Sequence, residues 1–177
     1  MNSQLSWPDL LGLAIKAKLR LHTLSPETCW DTLPEPKNSE EHIQQFEAER
    51  REPIPKAHRN FLLHADGWQG FYFTMDLFGL SELRGEGNGR AAAELLRHHA
   101  DQQRFEHSSI TADNIYPVAA GRGEELVVTV RSGAHAGRVI WLDEGIERTS
   151  YPNFKEFFAG VLALNQNRIE DLQRRGA

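Results

Sequence analysis

The chain has 177 residues, enough for one ordinary domain that buries about 70% of its unfolded surface on folding and needs no staples. Its 20 basic and 25 acidic side chains leave a formal net charge of −5, which disfavours general nucleic-acid binding through phosphate neutralisation and better suits a basic partner. The single cysteine, Cys29, excludes an intramolecular disulfide, the common cysteine zinc patterns and a CxxC redox pair, so a reducing, cytoplasmic setting is expected.

The opening MNSQLSWPDLLGLAIKAKLRLH has no basic stretch ahead of its apolar residues, and lysines and an arginine interrupt the apolar run, so neither a signal peptide nor a membrane span is expected. Ser6 suits an N-cap with Pro8 in the first turn, predicting a helix to about Leu21 with Leu10, Ala14, Ala17 and Leu21 on one apolar stripe. Residues 25–38 contain Pro26, Pro34 and Pro36 and are expected to form a loop. Ser39 caps a second expected helix to about Arg51, with Ile43 and Phe46 inward. Residues 27–52 hold eight acids against Lys37, Arg50 and Arg51, so this segment alone accounts for the net charge. A solvated loop and helix face explains such a run without further function.

Pro55 suits the first turn of a third helix, KAHRNFLLHAD, with Phe61, Leu62 and Ala65 buried and Gly67 at the left-handed position beyond its end. The aromatic-rich GFYFTMDLFGL predicts a strand at about 71–75 and a short one near Leu77. RGEGNGR, from Arg84 to Arg90, is expected as a flexible loop before a fourth helix, AAAELLRHHADQQR. Residues 126–131 (LVVTVR) and 138–142 (RVIWL) predict an antiparallel hairpin, and 146–150 a further short strand. Asn153 followed by Glu156 offers a capping box for the most apolar helix, FKEFFAGVLALNQNRIEDLQ, expected to pack across the sheet. Helices followed by an antiparallel sheet and a closing helix make an α+β fold, in a single domain over residues 1–177.

Active-site chemistry finds little support. RGEGNGR lacks the spacing and the lysine of a phosphate loop. His98 and His99 point about 100° apart on a helix, so with His107 they make a poor metal set. Ser108 and Ser109 lack a nucleophile-elbow sequence. No enzyme activity, cofactor or metal is expected. Of the four tryptophans, Trp141 alternates within a strand and is expected in the core, whereas Trp68, beside Gln69 and Gly70, is open to burial or to a partner-facing role.

Several segments together resemble the SUKH superfamily. IPKAHRNFLLHADGWQG is similar to its proline-started helix running into Asp/Asn-Gly, and Asp76, Leu77, Phe78 and Gly79 match its D-L-F-like segment, with Ser81 to Leu83 continuing it. IYPVAAGRGEELVVTV resembles the lead-in to its next strands, through Tyr116, Pro117, Val118, Ala119, Gly121 and Gly123; RVIWLDEG resembles the following strand and turn, and YPNFKEFFAGVLAL its closing helix. The likeness covers roughly residues 40–165. It gives a SUKH-like core at 39–165 preceded by an N-terminal helix and proline-rich loop at 1–38 that match no family pattern.

The resemblance implies a non-enzymatic α+β binding domain. Its members include bacterial immunity proteins, often encoded beside polymorphic toxins delivered by contact-dependent or type VI secretion, and fungal regulators of cell-wall synthesis. The expected partner is therefore a cognate toxin, with a basic nuclease among the candidates, met in the cytoplasm, with no nucleic acid and no membrane; a regulatory or scaffold domain is the alternative. The partner-binding surface is expected to be acidic, built from Glu124, Glu125, Asp143, Glu144 and Glu147 at strand ends, with Trp68 as a candidate aromatic anchor. Antiparallel pairing of the hairpin brings Glu124, Glu125, Asp143 and Glu144 to one edge; ordinary turn residues are the plainer account.

Overall fold

Leu126, Val128 and Val130 turn to one side of a central strand and Val127 and Thr129 to the other, and all five are buried. In the computed structural model, which describes residues 4–102, 104–105 and 110–176, that strand is β4 (Glu125–Val130). Its continuous β-branched run follows from helices covering both faces of the sheet, so successive side chains alternate between two dry layers. The other strands are β1 (Trp68–Tyr72), β2 (Met75–Leu77), β3 (Ile115–Ala120), β5 (Val139–Asp143) and β6 (Ile146–Tyr151), and the six follow chain order in one antiparallel meander. The chain is thus α+β, as expected.

One layer is built by α1 (Trp7–Leu24), α2 (Glu40–Arg50), α3 (Lys56–Leu62) and α6 (Phe154–Gly176), which bury Trp7, Phe46, Phe61 and Phe158 against Phe71, Val127 and Trp141. The opposite layer packs Ala92 and Leu96 of α5 (Asn88–Asp101) on Leu126, Val128, Ile140 and Leu142. Ser6 and Ser39 cap α1 and α2 through their hydroxyls, accepting from the amides of Asp9 and His42. Asn153 Oδ1 accepts from the amides of Lys155 (2.9 Å) and Glu156 (3.1 Å), fixing the start of α6.

Several boundaries differ from expectation. The third helix ends at Leu62, not Asp66, because the Asp66 amide is taken by the Glu35 carbonyl and its carboxylate by the Leu80 amide at 2.7 Å. The strand expected at 71–75 straddles a hairpin instead: β1 begins at Trp68, and the chain turns at Phe73, whose φ is 50°. Strand β3 was missed by propensity because it contains Pro117, which sits where the β3–β4 register shifts, a place that tolerates a residue without an amide donor. RGEGNGR is not merely a loop. It follows a short helix, α4 (Leu80–Leu83), and its last residues already belong to α5; Gly89 lies so close to the Glu82 backbone that a side chain would collide with it. His99 is buried. His107, Ser108 and Ser109 lie outside the described residues.

Two buried polar side chains were not anticipated. Lys18 of α1 is 3% exposed and its ammonium donates to the Gly70 carbonyl at 2.5 Å, tying α1 to β1. His58 of α3 is fully buried, stacked on Phe154 with ring centroids 4.2 Å apart, and neither ring nitrogen has a hydrogen-bond partner. Burial, reinforced by the nearby Arg50 charge, pushes the His58 pKa down from 6.5 to about 3. Folding therefore requires the neutral imidazole. Above pH 6.5 both folded and unfolded states leave it neutral; below, the unfolded chain takes up a proton that the folded one refuses, so stability falls as pH drops from 6.5 towards 3. Thermal melts of wild type and His58→Leu across this range should show the wild type losing more stability with acid than the variant. A constant difference between the two at every pH would remove His58 as the cause.

Candidate partner-binding surface

The residues that carry the resemblance perform structural work at the β1–β2 end of the sheet. Asp66 accepts from the Leu80 amide, and Asp76 accepts from the Gly70 amide (2.7 Å) through one oxygen and from the Asn88 side chain (2.6 Å) through the other. Gly67 and Gly79 let two backbone segments pass within contact of each other. A motif of this kind maintains a scaffold, which leaves recognition to the surface around it.

Four of the five nominated carboxylates converge. Glu125 and Asp143 face each other across β4 and β5, and the Glu144 amide donates to the Glu124 carbonyl at 3.3 Å. Glu144 and Gly145 form the β5–β6 turn with φ values of 52° and 79°, both left-handed, as a two-residue hairpin requires. Their charge, however, is largely answered within the chain. Arg104 pairs with Glu124 at 3.1 Å, Arg148 with Asp143 at 2.6 Å and Arg138 with Glu147 at 2.8 Å. Exposed pairs of this sort contribute little stability, yet they cut the field that the edge presents.

Among the described residues Glu144 joins no ion pair, and neither does Glu125. Half-buried beside Trp141, Glu125 accepts that indole N–H at 2.9 Å. Burial pushes its pKa above the usual carboxylate value, with Asp143 adding to the rise and the Trp141 hydrogen bond opposing it. Trp68 cannot serve as the anchor. It is 1% exposed, its ring packs on Phe71, and its N–H donates to the Thr32 carbonyl (3.1 Å) and hydroxyl (3.2 Å). A tryptophan that opens the edge hairpin, is packed on by a loop and finds a backbone acceptor there belongs to the core.

The exposed aromatic is Trp30, 47% accessible, on the proline-rich loop. It borders a cleft of about 360 Å³ shared with Asp76, Asn88, Arg122 and Glu125, and the Arg122 guanidinium lies 5.9 Å from its ring centroid. Sequence reading passed over Trp30, although one signal was present: CWDTLPEP has no helical or alternating period that would claim the ring for a core face. Among the described residues no group of three or more His, Cys, Asp and Glu side chains is arranged to hold a metal ion, and no helix is long and apolar enough to cross a membrane.

Comparison with curated proteins gives no match. The family model of the SMI1 / KNR4 family (SUKH-1) matches residues 37–160, more than half of the chain, from the end of the proline-rich loop to the first two turns of α6. With the β1–β2 clamp, the meander and the start of the closing helix inside that span, the chain belongs to the SMI1 / KNR4 family (SUKH-1).

Proposed function

We propose that this chain is an immunity protein that binds and neutralises a cognate secreted toxin, without catalysis of its own, in the cytoplasm. The observation that carries the reading is Trp30 standing exposed beside Glu125, a half-buried carboxylate that no cation of the described chain neutralises. Tryptophan is the side chain most enriched among binding hot spots, and an uncompensated acid next to it selects a lysine or arginine from the partner. Family membership supports a binding domain, and the net charge of −5 favours fast encounter with a basic toxin. The paired acids Glu124, Asp143 and Glu147 form the rim of this surface and act chiefly on association rate.

The test is co-expression with the product of the adjacent gene, followed by co-purification and a toxicity-rescue assay. Trp30→Ala should weaken binding by about 2 kcal/mol or more, roughly 30-fold in Kd, with the melting temperature unchanged. Charge reversal of Glu124, Glu125, Asp143 and Glu144 should slow association at low salt. No complex and no rescue would direct attention to a regulatory role; a complex indifferent to Trp30→Ala would keep the function and move the surface.

A further inference from the structure

We propose that this chain self-associates head to tail, with Leu33 of one copy entering an apolar groove on the next. The groove spans about 650 Å³ where the starts of α3 and α6 meet the β4–β5 loop. Pro53, Pro55, Ala57 and Ala136 line it over the buried Trp7 and Ile54, and Lys56 and Lys155 line it as well. None of its lining residues is acidic, in a chain whose net charge is negative. Arg131 also lines it but is committed to Glu52 at 2.5 Å. Lys56 and Lys155 join no ion pair among the described residues, and the positive end of α6 adds to the same field.

The complement exists on the same chain. Leu33 is 58% exposed, and Asp31 and Glu35, two residues to either side of it, likewise join no ion pair among the described residues. Two carboxylates outside any described ion pair, with Asp31 also within electrostatic reach of Lys18, bracket an exposed leucine and match two unpaired ammonium groups beside an apolar groove. The segment is also held in place: the Glu35 amide donates to the Gly67 carbonyl, Trp68 donates to Thr32, and Pro34 and Pro36 restrict the backbone. Little conformational freedom remains to be lost on docking. Pinned at Gly67 and Trp68, none of this segment lines the chain's own groove, so the occupant is a second copy. Two different patches meeting make a heterologous contact, which propagates into rings or open chains. Its small area makes it weak and transient.

Sedimentation equilibrium tests this on the full chain, from roughly 10 μM to 1 mM, the range a small contact needs. At low salt the weight-average mass should climb above 20.1 kDa with concentration. It should fall back at about 1 M salt, where charges are screened beyond roughly 3 Å. Leu33→Arg removes the donor, and the double variant Lys56→Glu, Lys155→Glu removes the acceptor; all three positions are surface side chains, and circular dichroism checks the fold. Each variant alone should stay at the monomer mass. Mixed in equal amounts they should form a dimer that grows no further, because one intact donor and one intact acceptor remain. A wild type that stays monomeric throughout, a variant that associates like wild type, or a mixture that remains monomeric overturns the proposal. No toxin enters the experiment, so its failure leaves the proposed function untouched.

Discussion

Phe61→Ala is expected to lower stability by about 3–5 kcal/mol, the range for truncating a phenylalanine inside a packed core. Phe61 is fully buried at the point where three helices meet. Its ring lies 5.4 Å from Trp7 of α1, and 5.1 and 5.9 Å from Phe154 and Phe158 of α6. Aromatic neighbours on separate helices cannot all collapse into the space one ring leaves, so the cavity persists and adds to the lost transfer energy. In a chain of this size the loss corresponds to a fall of roughly 6–20 °C in Tm. A variant melting within a degree or two of wild type would show that the α1–α3–α6 junction repacks freely and does not anchor the fold.

Gly67→Ala and Gly67→Val should each destabilise by about 2–5 kcal/mol, from two separable causes. The first is conformation: φ at Gly67 is 88°, where an L-residue pays roughly 1–2 kcal/mol. The second is contact: a Cβ there would stand 2.6 Å from the Gly79 nitrogen and 2.7 Å from the Leu77 oxygen, and backbone cannot move aside as a side chain tip can. Gly85 provides the control, since its φ is 86° and nothing lies within 4 Å of an added Cβ. Gly85→Ala should therefore show the conformational cost alone, about 1–2 kcal/mol. Equal chemical-denaturation midpoints for Gly67→Ala and Gly85→Ala would eliminate the close approach as a cause.

The sequence determined the local elements wherever a short-range signal names its own structure. Ser6, Ser39 and Asn153 each offer a side-chain oxygen to amides two or three residues ahead, so the starts of α1, α2 and α6 were readable from the chain itself. The β-branched runs of β4 and β5 and the aromatic face of α6 were readable for the same reason, as were the α+β class and the binding-domain resemblance. Tertiary structure decided what depends on residues distant in the chain. Gly67 has the left-handed conformation expected of it, yet the reason is the crossing with Gly79, twelve positions later, and not a helix end. Strand β3 pairs in spite of Pro117 because β2 and β4 satisfy its remaining donors and acceptors. The acidic cluster could be placed at one edge by strand pairing, but Arg104, Arg138 and Arg148 cancel much of its charge, and sidedness of pairing in space is invisible to a count of charges along a chain. Burial of Trp68 and exposure of Trp30 have one physical reason: Thr32 gives the Trp68 indole an acceptor inside the fold, and the same loop that delivers Thr32 leaves Trp30 in solvent.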